Sequence, residues 1–228
     1  MKNVLLELDK EPRRERARQS FSVMCGYHKK KVSPKKMEAS YQTLNEIDDD
    51  INGKILISSY DGSCVDGGYM VLDGIPFYCK ALERIPKEEL VRVYIYLITV
   101  GNLTDEGTDL VKRIYYDMWQ TAYVDTARDY VKEYLEELPE NEGLVVSESF
   151  GPGFYGMGSD EVRKFFQVLD SDKIGIYQNE LGFMVPFKSY AGFSVVTTRK
   201  ENLPTKDCAS CCVQGGITCI YCRTGRPQ

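Results

Sequence analysis

The chain has 228 residues and a formal net charge of −5; 43% of its residues are hydrophobic and 28% are charged. This composition is typical of a globular protein, and the length allows a buried core to form without disulfides or a structural metal. Its single histidine, His28, excludes a two-histidine metal site and any relay between histidines. A pI near 5.2 disfavours nonspecific nucleic-acid binding, which depends on a basic surface.

The sequence also lacks the signals of membrane insertion and export. No stretch approaches the roughly 20 consecutive apolar residues that a membrane-spanning helix requires. Residues 1–18 are charged throughout and contain no apolar signal core. We therefore expect a cytoplasmic protein whose partners include neither a membrane nor a nucleic acid. In that compartment the eight cysteines are predicted to be reduced thiols or metal ligands.

The first half of the chain changes from a helical to a β-prone pattern. Residues 2–50 are predicted to be helical, with helices over Glu11–Phe21 and Pro34–Ile47. Three short β-prone runs, separated by Asp-Gly turns, follow: Ile55–Ile57, Tyr69–Leu72 and Ile75–Tyr78. Leu90–Val100 is β-branched and aromatic, which predicts a buried strand, with a short buried helix as the alternative.

The second half begins with the longest predicted helix, Gly107–Leu138. Apolar residues recur there at helical spacing: Leu110, Ile114, Met118 and Ala122. A second helix is predicted over Asp160–Leu169, with Ser159 as its N-cap. Strands are predicted on either side of a turn at Pro186, over Ile174–Tyr177 and Gly192–Thr197. The order of the elements predicts the α+β class, with a twisted antiparallel sheet flanked by helices.

Three stretches carry residues suited to binding. Gly151–Gly156 is a glycine-rich loop with aromatic side chains, although such a loop is more often only a structural turn. Gln178–Ser189 places an acid, an amide and a lysine near a strand end, where they form either a binding edge or a polar turn. Three acidic residues and a threonine share one face of the long helix, a pattern that fits a ligand groove but more often a solvated surface: Asp117, Thr121, Asp125 and Asp129.

These stretches together resemble the activation domain of cobalamin-dependent methionine synthase and its stand-alone relatives. The likeness covers residues 35–198. In the family, a Pro-Gly-aromatic loop is followed by a helix, a strand and Met-x-Pro-x-x-Ser-x-x-Gly. The corresponding segments here are Pro152-Gly153-Phe154, Phe165–Asp170, Lys173–Ile176, Asn179–Leu181 and Met184–Gly192. Thr99–Gly101 and Asp117–Asp129 resemble the strand end and the acidic helix that precede them.

The resemblance implies S-adenosylmethionine-dependent reductive reactivation of cobalamin on a partner. The partner is a methionine synthase module or another corrinoid-binding methyltransferase, with a flavodoxin-like protein as electron donor. It implies that Asp125 and Glu180 face the positive groups of S-adenosylmethionine. The remaining implied cofactor-binding residues form the loop: Gly151, Pro152, Gly153, Phe154 and Tyr155. The family's carboxylate-binding arginine, three positions before the proline, is Ser149 in this chain.

The C-terminal segment contains two CxxC pairs, a pattern typical of zinc or iron–sulfur ligation, with a thiol-rich tail as the alternative. The predicted ligands are Cys208, Cys211, Cys219 and Cys222. The predicted division of the chain is therefore an N-terminal helical segment (1–34), an activation-domain-like core (35–200) and a cysteine-rich tail (201–228). The missing arginine leaves a second function open: a noncatalytic corrinoid-protein adaptor or redox chaperone with a metal-binding tail.

Overall fold

The computed structural model describes residues 1–8, 10–27, 32–101 and 109–204, and its largest element is a five-stranded antiparallel sheet. The strands in chain order are β1 (Val4–Glu7), β2 (Lys54–Asp61), β3 (Val65–Asp66), β4 (Tyr69–Leu72), β5 (Ile75–Tyr78), β6 (Leu90–Thr99), β7 (Val145–Val146), β8 (Tyr177–Gln178), β9 (Met184–Val185) and β10 (Ser189–Thr197). The helices are α1 (Lys10–Met24), α2 (Pro34–Ile47), α3 (Leu110–Glu137) and α4 (Val162–Val168). The order in the main sheet is β1-β2-β6-β10-β7, and smaller sheets join β3-β4-β5 and β8-β9.

The central strand β6 is buried on both of its faces, which explains its nearly continuous apolar sequence. Its side chains alternate between the two faces, as the pleat of a strand requires. Val93, Ile95 and Leu97 contribute to the core that β3–β5 and α4 cover, whereas Tyr94 and Tyr96 face the core beneath α3. The predicted buried strand is therefore confirmed, and it ends at Thr99.

A separate helical core joins α1, α2 and α3 beside the sheet. Trp119 is fully buried there, and its ring stacks on Phe21 with centroids 3.7 Å apart. Its indole N–H donates a hydrogen bond of 2.8 Å to the carbonyl oxygen of Ser40 in α2. Trp119 thus contacts both N-terminal helices and holds α3 against them.

The N-terminal region is not helical throughout, as the sequence had predicted for residues 2–50. Residues 4–7 form the edge strand β1, in which Val4 pairs with Ile57 and Leu6 with Ile55. Burial alternates along these four residues, as in a strand. Their pairing with β2 makes them a strand, although the sequence after them is helical. The boundary proposed at residue 34 stays a prediction, since no observation tests it.

Two predicted elements near the candidate loop also differ. Ser159 is not a helix cap, because it lies inside a 3-10 turn, Ser159–Glu161, which precedes α4 and whose N-cap residue is Gly158. The predicted strand at 174–177 is mostly absent: Ile174 ends another 3-10 helix, and Gly175 takes φ = +69°, which breaks the extended path. Only Tyr177, in β8, has strand geometry in that stretch.

The apolar pattern predicted for the long helix is buried only at its later positions, where Met118 packs against the helical core and Ala122 lies in it. Leu110 and Ile114 are 69% and 50% exposed, whereas Ala122 is fully buried. The buried side chains of α3 that face the cores are Trp119, Ala122, Tyr123, Ala127, Val131 and Leu135. The first two turns of α3 bring only Tyr115 and Tyr116 against the helical core, which leaves the neighbouring apolar side chains in solvent.

The three cysteines of the described region, Cys25, Cys64 and Cys79, form no disulfide and are partly or fully buried. Burial raises the pKa of Cys64 to about 11, and the nearby negative charge of Asp61 adds to that shift. At pH 8 only about one such thiol in a thousand is ionised, and the thiolate fraction grows about tenfold per pH unit. We therefore expect slow alkylation of Cys64 by iodoacetamide at pH 8 and a steep rise toward pH 11, measured by peptide mass spectrometry. A rate already at its plateau at pH 8 would contradict the burial.

None of the helices within the described ranges is long and apolar enough to span a lipid bilayer.

Candidate functional site

The candidate site lies where residues 147–150, just before Gly151, run along β10. Phe150 and Phe193 exchange backbone hydrogen bonds of 2.8 Å in both directions. Upstream, the amide of Val195 donates to the hydroxyl of Ser147 at 2.9 Å. These bonds fix the path of the loop, so that Ser149 lies beside the first residues of β10, under the middle of α3.

A chain of hydroxyl groups forms the floor of this site. The Ser149 hydroxyl accepts a 2.6 Å hydrogen bond from Tyr96 and lies 2.8 Å from the hydroxyl of Tyr190. Tyr96 also lies within hydrogen-bond distance of Ser194, at 3.2 Å. Burial raises the pKa of Tyr190 and that of Tyr96, so both phenols stay neutral at physiological pH. The floor is therefore uncharged and hydrogen-bonded.

The charged wall of the site comes from α3. The guanidinium carbon of Arg128 lies 4.5 Å from the ring centroid of Tyr190, and Nη1 lies 3.3 Å from a carboxylate oxygen of Asp125. Burial lowers the pKa of Arg128, but its interactions with Tyr190 and Asp125 outweigh that effect and leave the pKa above its usual value. The guanidinium is thus a permanent charge beside the floor. Its buried Nε has no hydrogen-bond partner.

A glycine is required where the loop passes Tyr190. A Cβ atom at Gly151 would lie 2.6 Å from the carbonyl oxygen of Ala191 and 2.7 Å from the Tyr190 hydroxyl, closer than real side chains approach. Two residues later, Gly153 takes φ = +84° and is exposed, with open space where a side chain would be. The loop therefore contacts β10 at Gly151 and turns toward solvent at Gly153.

The two aromatic residues of the loop face different surroundings. Phe154 is 48% exposed. Tyr155 packs edge-on against Phe150 with centroids 5.0 Å apart, and its carbonyl oxygen accepts the backbone N–H of Ala81. Phe154 is accordingly the aromatic ring of this loop that is available to a ligand, whereas Tyr155 anchors the loop to the core.

The predicted acidic face of α3 is paired with cations. Lys188, just before β10, lies 2.8 Å from the Asp117 carboxylate and donates to the Thr121 hydroxyl at 3.0 Å. One turn further, Asp125 meets Arg128. Sequence reasoning missed Arg128 as a site residue. The available signal was its position three residues after Asp125, which places the two side chains on one helix face.

Glu180 lies elsewhere in the structure. It is exposed in the turn between β8 and β9, where the Asn179 side chain accepts the backbone N–H groups of Leu181 and Phe183. The α-carbon of Gly182 in the same turn faces Arg163 of α4. Glu180 enters none of the hydrogen bonds described for the Tyr190 floor. Contacts through Arg128 and Tyr190 thus connect Asp125 with Gly151. The ligand-binding role predicted for Glu180 stays a prediction.

Two surface cavities lie near but outside this site. The larger, of about 690 Å³, is a groove between α1 and α3 that includes Thr126 and Asp129. The smaller, of about 400 Å³, follows the end of β10 around Arg199 and Lys200. Neither lining includes Asp125, Gly153 or Glu180, so neither of these two cavities is the candidate site.

The predicted metal ligands Cys208, Cys211, Cys219 and Cys222 lie outside the described residues, as does His28. Within the described part of the chain, no group of three or more His, Cys, Asp or Glu side chains is placed to hold a metal ion. The tail metal therefore stays a prediction.

The architecture is a mixed α+β fold with a curled antiparallel sheet flanked by helices, as the sequence predicted. It is similar to the crystal structure of the MetH reactivation domain bound to AdoHcy (S-adenosylhomocysteine), with a TM-score of 0.61 and 11% sequence identity. The match covers 87% of this chain and 79% of that one. At this identity the likeness shows the fold. No protein-family model matches the sequence, and no curated protein matches it.

Proposed function

We propose that the chain binds S-adenosylmethionine in the cleft between α3 and the loop 149–153, and serves the reactivation of a corrinoid on a partner protein. The fold shared with the AdoHcy-bound MetH reactivation domain supports this proposal. The observation that carries it is the connection of Asp125, through Arg128, to Tyr190, which lies against Ser149 and Gly151. A carboxylate, neutral hydroxyl donors and a closely approaching backbone come together there.

The residues present suit the chemical groups of the ligand. S-adenosylmethionine carries an ammonium, a carboxylate, a sulfonium and an adenine ring. In the proposal, Asp125 binds the ammonium by a charge-assisted hydrogen bond. The backbone N–H of Gly151 binds a polar atom, since Pro152 has no N–H and that of Gly153 already donates to the carbonyl oxygen of Met157. The half-exposed ring of Phe154 packs on the adenine or the sulfonium. The contact of Glu180 with a positive group of the ligand stays a prediction.

When bound, S-adenosylmethionine would supply its sulfonium methyl group to the reduced corrinoid of the partner, and S-adenosylhomocysteine would be the product that leaves. The reducing electron comes from a flavodoxin-like donor. This chain contributes binding and orientation, since a methyl group can be transferred only if it points out of the cleft toward the corrinoid. The proposed partner is a methionine synthase module or another corrinoid-binding methyltransferase.

A group of exposed apolar side chains supports docking of a partner. Four of them lie between β8 and the start of β10, with the last 73% exposed: Tyr177, Leu181, Phe183 and Phe187. A group of large apolar side chains in solvent is typical of a protein–protein contact surface.

Calorimetric titration with S-adenosylhomocysteine tests the binding step. We expect one site per chain, and an affinity about 10-fold or more lower in Asp125→Asn, because the variant loses one charge-assisted hydrogen bond worth about 1.5–3 kcal/mol. Glu137→Gln is the matched control, since Glu137 is exposed at the end of the same helix. Equal affinities in the Asp125 and Glu137 variants would contradict the assigned role of Asp125.

The same titration distinguishes the proposed function from the alternative, a noncatalytic adaptor or redox chaperone. A chain that gives no heat with S-adenosylhomocysteine or S-adenosylmethionine, yet co-purifies with a corrinoid protein, would be the noncatalytic adaptor or redox chaperone. Ser149, in place of the family's arginine, is the residue that favours this alternative.

A further inference from the structure

The loop that joins α2 to β2 contains the only Asn-Gly dipeptide of the sequence, Asn52-Gly53. Asn52 is exposed and lies in non-helical backbone, so its carboxamide is open to water and free to rotate. Two hydrogen bonds of 3.1 Å hold this dipeptide: the N–H of Asn52 donates to the carbonyl oxygen of Val100, and the carbonyl oxygen of Gly53 accepts the N–H of Leu8. Neither bond uses the N–H of Gly53.

We infer that Asn52 is a site of spontaneous deamidation, which converts it to aspartate and isoaspartate. The backbone nitrogen of Gly53 attacks the side-chain carbonyl carbon of Asn52, a carbon–nitrogen bond forms, and the side-chain nitrogen leaves as ammonia with the proton of the N–H. Water then opens the five-membered succinimide at either of its carbonyl groups. The sequence of steps requires water alone and is independent of the proposed function.

The packing of the fold requires the glycine that makes this attack possible. A residue with a side chain after the asparagine hinders closure of the ring, whereas glycine has no Cβ to do so. A Cβ at Gly53 would lie 2.7 Å from Nη1 of Arg13 and 2.7 Å from Cδ1 of Leu8, closer than real side chains approach. The chain therefore keeps glycine at position 53 for steric reasons, and Asn52 stays next to an unhindered nucleophile.

A buried cation lies beside the reacting bond. The Arg13 guanidinium reaches the place that a Cβ of Gly53 would occupy, and this arginine is only 7% exposed. The attack passes through a deprotonated peptide nitrogen and a tetrahedral intermediate with a negatively charged oxygen. A fixed positive charge stabilises both species, and more strongly where little water screens it. The folded structure is thus expected to promote the reaction rather than to protect Asn52.

The isoaspartate product alters the backbone where two strands end. Its chain runs through the former side-chain carbon, which adds one methylene group between the N–H of residue 52 and the carbonyl of Gly53. These two groups hold the loop to Val100 after β6 and to Leu8 after β1. Because the longer path cannot keep both hydrogen bonds at their present spacing, we expect the product to be less stable than the unmodified chain.

Asn45 provides an internal control. It lies in α2, where the helical backbone holds the N–H of Glu46 away from the side chain, and the next residue is not glycine. Its side-chain oxygen also accepts a 2.7 Å hydrogen bond from Nη2 of Arg14. Trypsin releases both asparagines in one peptide, Met37–Lys54, so their rates can be measured together.

The test follows deamidation in the folded wild type, in folded Asn52→Gln and in a synthetic peptide of residues 37–54, all incubated at pH 8 and 37 °C. Mass spectrometry with electron-transfer fragmentation locates the modified residue and separates isoaspartate from aspartate. We expect deamidation of Asn52 at least about 10-fold faster than that of Asn45 in the folded chain. We also expect a rate at Asn52 no lower than in the peptide, and a lower unfolding temperature for the aged wild type than for the equally aged Asn52→Gln.

The contrary results are equally clear. Equal rates at Asn52 and Asn45, or a slower reaction at Asn52 in the folded chain than in the peptide, would overturn the inferred site. Accumulation of isoaspartate without a lower unfolding temperature would overturn the inferred effect on the fold. If Asn52→Gln fails to fold, fresh wild type replaces it as the reference for unfolding, and the comparison with Asn45 decides the site.

Discussion

Trp119→Ala is expected to lower the free energy of unfolding by about 3–5 kcal/mol. The side chain is fully buried, and its removal leaves a cavity between α1, α2 and α3 where the ring stacked on Phe21. The carbonyl oxygen of Ser40 loses its indole donor as well. Since the natural stability of a domain is about 5–15 kcal/mol, this single change removes a large part of it.

Urea denaturation followed by far-UV circular dichroism measures this loss, because Trp119 is the only tryptophan and its fluorescence disappears with it. Phe187→Ala is the matched control, an aromatic truncation at a side chain that is 73% exposed, and should cost less than about 0.5 kcal/mol. Similar losses in the two variants would contradict the helical core described here.

Gly151→Ala is expected to weaken S-adenosylhomocysteine binding at least about 10-fold and to lower the free energy of unfolding by about 1–3 kcal/mol. The added methyl group would lie 2.6 Å from the backbone oxygen of Ala191 and 2.7 Å from the Tyr190 hydroxyl. Because backbone cannot rotate aside, the loop and β10 must separate. That movement breaks the contact between Tyr190 and Ser149 and displaces the floor on which Arg128 stacks.

Calorimetry gives the affinity, and thermal unfolding shows how much of the variant is folded at the temperature of titration. Gly175→Asn is the matched control, since Gly175 has φ = +69°, open space for a side chain and no contact with the cleft. Asparagine tolerates that left-handed conformation. An unchanged affinity in Gly151→Ala would show that the ligand does not depend on the loop's approach to β10.

Local patterns in the sequence were sufficient to predict several elements. Pro34 begins α2 at its first turn, with Ser33 accepting the N–H of Lys36, and the helix ends at Ile47 as predicted. The apolar run of β6 predicted a doubly buried strand. These features depend on residues close in sequence, where capping and periodicity act directly. By contrast, β1 is only four residues long, and its strand geometry comes from pairing with β2, which no local pattern reveals.

The candidate site was predicted in part for the same physical reason. Asp125 and Gly151 were selected from the resemblance; in the structure Arg128 contacts both Asp125 and Tyr190, and Gly151 lies against the Tyr190 hydroxyl. Arg128 was missed because its importance arises from contacts between α3 and β10, which are remote in sequence. Ser149 alone suggested that a cation had been lost; in the structure its hydroxyl contacts Tyr190, over whose ring the guanidinium of Arg128 lies.

The most direct test of the central claim is a crystal structure of the chain grown with S-adenosylhomocysteine. We predict one molecule between α3 and the loop 149–153, with its ammonium on Asp125 and its adenosyl group toward Phe154. Ligand density elsewhere, for example in the groove between α1 and α3, or an empty cleft at a saturating ligand concentration, would contradict the account.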